Sequence, residues 1–592
     1  KLNASFRKPR KFGFADYIWG VLLSFPLWTV SCVDNKYDLD KDIDMTVNVG
    51  GEYLTIPAGS SDTAYLSKII EVEEGDILQP DATTRVYHLT KKDDINVEPT
   101  TVKEVTVGAT TTDLEAIEIV NNTGVSFSDA EVSADITTSG DFEATANDID
   151  EALKELGSLR VKTPVDLNLT IDFNISGGDL TFNQVKANKL KIVFPDYIVF
   201  KDDEGIQDNE LILDEEVLSV NGSSYTRTLK VEGYKFGDAV DSGRKPNAEG
   251  SLTIEGNISM EGDVVTSGIS GTGALALVPK AVLEEMNINS VTGVIQPKIE
   301  AETTKIELND LPDFLKDEDT RLDITNPVIL LKANNPLNTP VEIDAILTPL
   351  RDNTAIAGNS VKIGAGDIVL TPGDNMIALS RKGDSSIDGA TNVKVEDMNN
   401  LLKIIPDDID VMLTPVVRNK EYYTAELGKA YEMPASYEVD VPLSFEQGLN
   451  IVYNDSVQDL NKDLNDLDKI RLKNAKIMLS VDNAIPLKLQ LKAENVQIKD
   501  VYGNELTAVK KTMEEDKQYV TESTDGEKPA TSELVLSLTS DDTAFLSKID
   551  RICFKITAVP GSATDVPLKD TQWLKVTSVK LSVPGGVNVD LN

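Results

Sequence analysis

Histidine and cysteine are scarce in this chain, and their scarcity excludes several kinds of site. One histidine, His88, and two cysteines, Cys32 and Cys553, are present among 592 residues. A catalytic zinc needs several protein ligands, so a histidine-based metallohydrolase is excluded. Two cysteines cannot supply a disulfide framework, and no cluster of metal ligands surrounds either of them in the sequence. His88 lies in the β-like run RVYHLT, where we expect a strand residue rather than a catalytic base.

Aromatic residues make up only 6% of the chain, which limits the sugar-binding sites that it can build. Trp19 and Trp28 fall in an apolar run near the start, and Trp573 is the one tryptophan elsewhere. Aromatic rings supply large, flat apolar contact surfaces, so this composition is poor material for sugar-stacking platforms. The 15 tyrosines leave a weaker glycan site open. We expect Trp573 to be a core or strand-edge residue.

Basic residues are outnumbered by acidic ones, 57 against 99, for a formal net charge of -42. A field of this sign repels phosphates and anionic lipid, so nucleic acid is not an expected partner. With 40% apolar and 26% charged residues, the composition is that of a folded protein. Domains of about 100 to 150 residues predict four to six units in a chain of this length.

The start of the chain carries the pattern of an export signal. A basic segment that ends at Lys11 precedes the apolar run YIWGVLLSFPLWTV over residues 17–30. A membrane-spanning helix needs about 20 apolar residues, and Pro26 interrupts this shorter run. A basic segment, a short apolar core and small residues before a cleavage site predict a signal peptide over residues 1–31. A short buried helix and a single transmembrane anchor are the alternatives.

The stretch TVSC, residues 29–32, resembles the lipobox of bacterial lipoproteins. Val30 and Ser31 fit that motif, and Thr29 stands in the place of the usual leucine. The resemblance implies that Cys32 carries a diacylglycerol and is the first residue of the mature protein. Several acyl chains on one residue hold a protein to a membrane where a single chain would not.

Aspartates at every second position follow this cysteine, beginning at Asp38. A calcium-binding loop of this kind needs glycine at its sixth position and glutamate at its twelfth. Counted from Asp38, those positions hold Ile43 and Val49, so the calcium motif fails at both. The apolar residues that alternate with the aspartates from Leu39 to Val49 instead predict a half-buried first strand with a solvated acidic face.

A short helical stretch followed by a strand recurs along the chain. Leucine-like residues three or four apart precede alternating apolar residues in four segments, at 148–173, 308–336, 395–417 and 459–483. DTAYLSKI at 62–69 and DTAFLSKI at 542–549 are nearly the same octapeptide. The spacing of the three later segments is that of small β-sandwich modules.

Most of the remaining sequence is typical of β structure. Segments such as 251–260, 437–445 and 485–493 are short, rich in Val, Ile, Leu and Thr, and bounded by turn residues. We therefore predict a mainly β fold of several tandem immunoglobulin-like β-sandwich modules with short inserted helices. The expected modules are 32–147, 148–280, 281–394, a small module at 395–456, and 457–592.

The basic leader, the TVSC motif, the acidic start CVDNKYDLDKD and the β body together resemble surface lipoproteins of the Bacteroidota. In that group, acidic residues soon after the acylated cysteine direct export to the outer leaflet of the outer membrane. The resemblance gives this role to Asp34, Asp38, Asp40 and Asp42. It implies an outer-membrane protein that is anchored by lipid on Cys32 and faces the cell exterior. Many such lipoproteins are accessory subunits of importers built from a TonB-dependent barrel and a lipoprotein lid.

Two classes of function follow. We expect a non-enzymatic binding or scaffolding component of an outer-membrane complex for glycan uptake. Its expected partners are a TonB-dependent transporter, the lipoprotein lid of that transporter or an extracellular polysaccharide. We expect no cofactor. The alternative is a carboxylate-dependent glycoside hydrolase, since that chemistry needs two acids about 5 to 10 Å apart in a cleft. An adhesin or fimbrial anchor is a further alternative that the resemblance allows.

Overall fold

The structure is a computed structural model that describes residues 46–49, 53–70, 72–122, 127–202, 205–308, 311–418, 420–458, 460, 470–585 and 587–590. Cys32 and the export-signal residues Asp34, Asp38, Asp40 and Asp42 lie outside these ranges, as does the expected signal peptide. Predictions about them stay predictions. In the described ranges strands predominate and helices are few and short, which confirms a mainly β fold. The immunoglobulin-like form of the modules stays a prediction.

The N-terminal segment consists of short strands that pair with distant parts of the chain. They are β1 Thr46–Val49, β2 Tyr53–Gly59, β3 Ala64–Tyr65, β4 Leu78–Pro80 and β5 Tyr87–Ile95, with the helix α1 at Leu66–Ile69. The described part of the expected first strand is therefore a strand. The helix α1 lies in the octapeptide at 62–69.

A large antiparallel sheet of 15 strands follows, and its members surround one hydrophobic core. After the short β6 Thr100–Thr101, its strands in this part of the chain are β7 Val105–Val107, β8 Thr110–Asp113, β9 Ile117–Asn121, β10 Phe127–Asn147, β11 Leu153–Ser176, β12 Gln184–Val193, β13 Ile198–Phe200, β14 Ile206–Gln207, β15 Glu210–Leu213, β16 Val217–Val220, β17 Tyr225–Lys235, β18 Leu252–Ile269, β19 Gly273–Leu283 and β20 Met286–Ile295. In β11 the alternating Leu167, Leu169 and Ile171 are fully buried. Each such side chain stabilises the fold by about 1.5 to 3 kcal/mol.

The helix expected at the start of 148–173 is absent, because this stretch is a turn followed by β11. The carboxylate of Asp150 accepts hydrogen bonds from the backbone N–H groups of Ala152 and Lys103, each at 2.9 Å, and so holds the turn. Leu153 and Leu156, three residues apart, both enter the core. Register shifts in the pairing of β11 with β20 let both side chains face inward, so a helical spacing occurs in an irregular strand.

The next part of the chain, which we call the middle module, contains two packed sheets. The strands in this part of the chain are β21 Thr304–Glu307, β22 Val328–Asn335, β23 Val341–Arg351, β24 Thr354–Ala355, β25 Val361–Leu370, β26 Gly373–Ser380, β27 Thr391–Lys394, β28 Asp408–Val416, β29 Tyr423–Glu426, β30 Ala430–Tyr431 and β31 Ala435–Pro442, of which β29 and β30 pair outside the two sheets. Short 3-10 helices lie at Asp313–Lys316 and Glu396–Asn399, and α2 follows at Asn400–Lys403. The helix-then-strand predictions for 308–336 and 395–417 are confirmed.

The last part, the C-terminal module, has the same two sheets and a further small three-stranded sheet. Its strands are β32 Ile451–Val457, β33 Ile470–Arg471, β34 Asn474–Asn483, β35 Lys488–Lys499, β36 Lys510–Thr512, β37 Tyr519–Val520, β38 Ala530–Thr539, β39 Arg551–Val559, β40 Trp573–Pro584 and β41 Val587–Asp590, with 3-10 helices at Glu515–Lys517 and Leu546–Lys548. The second octapeptide, 542–549, contains one of these helices. The strand predicted in 459–483 is confirmed as β34, while residues 461–469 lie outside the described ranges.

The middle and C-terminal modules share one strand arrangement. In one sheet, β22 lies between β26 and β31 just as β34 lies between β38 and β40. In the other, β23 lies between β25 and β28, and β35 between β37 and β39. The modules are therefore structural repeats, which the recurring helix-and-strand pattern indicated.

A buried asparagine holds the same turn in both repeats. The side-chain amide of Asn335 donates to the carbonyls of Thr339 and Leu370 at 2.9 and 3.0 Å, and its oxygen accepts from Leu337 N–H at 3.0 Å. Asn483 makes the equivalent three bonds, donating to Leu487 and Thr521 at 3.0 Å and accepting from Ile485 at 2.9 Å. The two asparagines align the repeats residue by residue, because Asn335 ends β22 and Asn483 ends β34 in the same hydrogen-bonded turn.

The N-terminal strands complete the sheets of both modules. β2 pairs with β40 at the edge of the C-terminal module, whereas β5 pairs with β31 in the middle module. Strand pairing also joins regions that the sequence pattern assigned to separate modules. The boundary expected after residue 147 separates β10 from β11 and the one after residue 280 divides β19, yet all three strands belong to the 15-stranded sheet. β29 adds to that sheet by pairing with β20.

Candidate ligand-binding cleft

One connection in the middle module is longer than its counterpart in the C-terminal module. Residues 381–395 join β26 to the 3-10 helix that follows, whereas only residues 540–545 join β38 to its helix. The longer connection, which we call the insertion loop, contains β27, which pairs in parallel with β26. Because loops on a rigid scaffold commonly carry function, a loop present in one repeat and short in the other is a candidate site.

Side-chain amides hold the insertion loop in one conformation. Asn326 donates to the carbonyl of Asp384 at 2.7 Å and accepts from the backbone N–H of Lys382 at 2.8 Å. Within the loop, the hydroxyl of Ser385 donates to Asn392 at 2.6 Å. Asn326 precedes β22, so the loop is tied to the framework of the module and its side chains are positioned rather than free.

Six residues, four of them on or next to the insertion loop, form an open cleft of about 430 Å³. We call it the insertion cleft, and it is lined by Thr325, Arg381, Lys382, Lys394, Glu396 and Glu446. Its walls thus combine three cationic side chains, two carboxylates and one hydroxyl. Such a lining supplies hydrogen-bond donors and acceptors within a small volume.

Arg381 is the most firmly positioned cation of the insertion cleft. Its guanidinium donates to the Asp323 carboxylate at 2.8 Å and to the carbonyl of Ile324 at 2.6 Å, both through Nη1. Asp323 is itself held, since its other oxygen accepts from Gly448 N–H at 2.7 Å. These charge-assisted bonds hold the guanidinium at the wall of the insertion cleft.

The charges in the insertion cleft compensate one another. Lys394 lies 2.8 Å from Glu396, and its charge and hydrogen bond lower the pKa of that carboxyl below its usual range. Lys382 lies 3.7 Å from Glu446 and 3.0 Å from Asp565 of the C-terminal module. A cleft with paired charges has no strong preference for a ligand of one sign. It suits a neutral ligand with many hydroxyl groups, each of which can both donate and accept.

Thr325 lines this cleft, but its hydroxyl is enclosed by protein atoms. The residue is 1% exposed, and its Oγ1 has no hydrogen-bond partner within the described part of the chain. Buried polar atoms are nearly always bonded, so an unbonded hydroxyl at a cleft wall needs an explanation. Because this oxygen is itself enclosed, a ligand in the open cleft meets the charged side chains of the lining instead.

The residues that the sequence singled out lie elsewhere. His88 is on β5, where its Nδ1 lies 2.5 Å from the Asp440 carboxylate, and this hydrogen bond raises the pKa of His88. Trp573 begins β40 and pairs with Tyr65. Both are strand residues, as predicted. Cys553 is a free, half-buried cysteine on β39.

None of the six cleft residues was recognised from the sequence. The one available signal was the length of the connection between strand and helix, which is fifteen residues at 381–395 and six at 540–545. That comparison can be made only once the two segments are known to be equivalent.

Across the described ranges, no group of three or more His, Cys, Asp or Glu residues is arranged to hold a metal ion. Within those same ranges, no helix has the length and apolar character to cross a membrane.

Comparisons with known proteins identify no family for this chain. No protein-family model matches the chain, and no curated protein matches it. A solved structure of a candidate secreted protein from Parabacteroides distasonis ATCC 8503 is similar over 50% of this chain and 83% of that chain, with 18% identity and a TM-score of 0.36. The structure of infectious bursal disease virus Gx strain aligns over 84% of this chain and 87% of that chain, with 9% identity and a TM-score of 0.14. Likenesses this weak carry no argument about function.

Proposed function

We propose that this protein is a non-enzymatic cell-surface lipoprotein that binds a saccharide in the insertion cleft as part of a glycan-uptake complex. The observation that carries the ligand class is the polar lining of an open cleft whose charges are paired. A neutral sugar offers hydroxyls that match such a lining. The anchor and its location rest on Cys32 and the acidic residues after it, which resemble the signals of surface lipoproteins.

A direct binding experiment tests the cleft. Saccharides from an array of extracellular polysaccharides would first be screened against the full chain with Cys32→Ala, and hits measured by calorimetry. Lys394→Met keeps the length of the side chain and removes the ammonium donor from the cleft wall, so we expect binding to weaken about tenfold. Lys492→Met is the matched control, because Lys492 also pairs with a carboxylate two residues on, Glu494 at 3.8 Å, but does not line the cleft.

Equal affinity for Lys394→Met, Lys492→Met and the parent protein would show that sugars do not bind in this cleft. Preferential binding of anionic sugars, lost at high salt, would contradict the inference from paired charges. Failure of every saccharide to bind would favour scaffolding or adhesion over ligand capture.

The hydrolase alternative has a specific counterpart in the cleft, since Glu396 and Glu446 both line it. A glycosidase needs one carboxyl with a raised pKa as proton donor. Lys394 lowers the pKa of Glu396, which disfavours that carboxyl as the donor. We therefore expect no release of reducing sugar from polysaccharides that bind. Release that disappears in both Glu396→Gln and Glu446→Gln would establish the hydrolase instead.

The membrane complex and the anchor are tested separately. Gentle solubilisation of the native outer membrane, followed by capture of this protein, should recover a TonB-dependent barrel and its lipoprotein lid. Recovery of the protein alone would count against the importer role. Labelled palmitate should be incorporated into the wild type but not into Cys32→Ala, and label in that variant would show that the anchor lies elsewhere.

A further inference from the structure

A cavity of about 120 Å³ lies where α1 meets the C-terminal module. It is lined by apolar side chains and one tyrosine ring from segments far apart in the sequence, among them Leu66, Leu487, Leu489, Ile556, Ala558 and Leu574. Several of these side chains are only half-buried, Leu487 and Leu489 among them, so the cavity is open to solvent on one side. Apolar walls give a water molecule no hydrogen-bond partners, and such cavities stay dry or hold apolar ligands.

A second cavity of about 70 Å³ adjoins the first and extends it between the two sheets of the C-terminal module. Leu489, Ile556 and Leu574 line both cavities. Leu487, Leu489 and Leu491 occur at every second position and face this space along the strand direction. The combined space is therefore narrow and elongated, and Gln490 is its one polar lining residue among those described.

The middle module is closed at the equivalent place. The shared turns at Asn335 and Asn483 make Val341 the counterpart of Leu489 and Ile343 the counterpart of Leu491. Val341 and Ile343 are 0% and 6% exposed, whereas Leu489 and Leu491 are half-buried. The open space thus belongs to one repeat and is not a requirement of the shared arrangement. Keeping unfilled apolar space destabilises a fold, so its presence in one repeat suggests an occupant.

We propose that this cavity binds the end of an aliphatic chain of a fatty acid or lipid. An engineered apolar cavity of about 150 Å³ in another protein holds benzene, so 120 Å³ suits roughly five or six carbons. The narrow extension beside it favours a linear chain over a compact ring. No charged side chain lines the space among the residues that the structure describes, which places the carboxylate or headgroup outside, at the open side.

Two sources could supply such a chain, a free fatty acid or the lipid on Cys32. The second source rests on the proposed acylation. β1 pairs with β41, with Thr46 opposite Asp590, so the chain enters the described structure at the C-terminal module itself. The residues between Cys32 and Thr46 can span at most about 45 to 50 Å when extended, which allows the lipid to reach this module.

The binding test uses the full chain with Cys32→Ala, which carries no lipid on that residue, and dodecanoic acid as the probe. We expect saturable binding of one molecule per chain by calorimetry. Ala558→Leu adds volume to the cavity wall and should weaken binding at least tenfold. Ala355→Leu, at an exposed position on β24, is the matched control and should bind as the parent does. If Ala558→Leu fails to fold, Leu489→Phe provides the second filling variant.

The source is tested on the acylated protein in cells fed a photoreactive palmitate. Crosslinks from the lipid on Cys32 to peptides containing Leu489 or Ile556 would identify the protein's own chain as the occupant. Binding of dodecanoic acid without these crosslinks would identify a free fatty acid. No saturable binding to Cys32→Ala, or binding that a folded filling variant leaves unchanged, would overturn the proposal. Neither result depends on saccharide binding at the insertion cleft.

Discussion

Arg85 and Asp570 lie 485 residues apart in the sequence and form a two-point ion pair. The guanidinium donates through Nε at 3.1 Å to one carboxylate oxygen and through Nη2 to the other. Asp570 is 5% exposed, and its backbone N–H also donates to the carbonyl of Arg85 at 3.1 Å. The pair therefore joins the turn before β5 to the turn before β40, and with it the N-terminal segment to the C-terminal module.

Loss of this pair should weaken that junction. Arg85→Ala leaves a buried carboxylate without its cation, and since Arg85 is half-exposed we expect a loss of about 1 to 3 kcal/mol in unfolding free energy. Urea unfolding followed by the fluorescence of Trp573, which begins β40, measures it. Arg160→Ala is the control, because Arg160 and Glu232 are 3.7 Å apart and both well exposed. Equal stability of the two variants would contradict a structural role for the pair.

The buried asparagine turns should be sensitive positions in both repeats. Asn335→Ala removes three hydrogen bonds, two of which the side chain donates to the carbonyls of Thr339 and Leu370. Their loss should lower the free energy of unfolding by about 2 to 4 kcal/mol. Asn483→Ala should cost a similar amount. Asn338→Ala, at an exposed position in the same turn, should change stability by less than about 0.5 kcal/mol. Thermal unfolding measures all three, and tolerance of Asn335→Ala would show that the shared turn is not essential.

His88 should titrate above the usual range for histidine. The hydrogen bond to Asp440 raises its pKa most, partly opposed by burial, with a further contribution from the charges of Asp440 and Asp81. A raised folded-state pKa means that the stabilisation is fully present below about pH 6.5 and is lost as the pH rises through the folded pKa. As the one histidine of the chain, its imidazole signals can be followed unambiguously by NMR.

Asp440→Asn should lower the measured pKa of His88, whereas Asp93→Asn, farther along β5, should change it little. Since both members of the pair are partly exposed, the stability difference at low pH should not exceed about 1 kcal/mol. An unchanged pKa in Asp440→Asn would show that the two side chains do not interact in solution.

Tyr422 should hold the segment around β29 against the large sheet. Its hydroxyl donates to the buried carboxylate of Glu155, which also accepts from Gly243 N–H at 3.0 Å. Burial raises the pKa of Glu155, but these bonds and Lys245 outweigh it, so the net pKa is lowered. Tyr422→Phe should cost about 1 to 3 kcal/mol at neutral pH. The lowered pKa of Glu155 contributes stability that is fully present above the unfolded value near 4.3. The stability difference between Tyr422→Phe and the parent should therefore shrink as the pH falls below that value and through the lower folded pKa.

Tyr502→Phe, whose ring is 85% exposed, is the control for this change. Hydrogen exchange at β29 gives a local reading, since Tyr422→Phe should increase exchange there and leave β35 unchanged. Equal exchange in both variants would show that the Tyr422 contact is not needed to seat β29.

Local patterns in the sequence predicted the strands well and the helix at 148–173 wrongly. Alternation identified β11 through Leu167, Leu169 and Ile171 because a strand with one buried face needs an apolar residue at every second position. The leucines at 153 and 156 indicated a helix, because spacing alone does not distinguish a helix turn from an irregular strand. The insertion cleft was not predicted, since its lining residues come from positions 325, 381–396 and 446, which are adjacent only in the fold.

By itself, the sequence determined the class of this protein. Its period-two apolar pattern, the repeated helix-and-strand segments and the nearly identical octapeptides specify a mainly β chain with repeats, because these are local properties of the backbone and of side-chain burial. Tertiary structure decided which strands pair, that β2 and β5 complete different modules, and that Thr325 lies unbonded at a cleft. Those features depend on contacts between residues hundreds of positions apart, and the local pattern of a strand does not specify its partner.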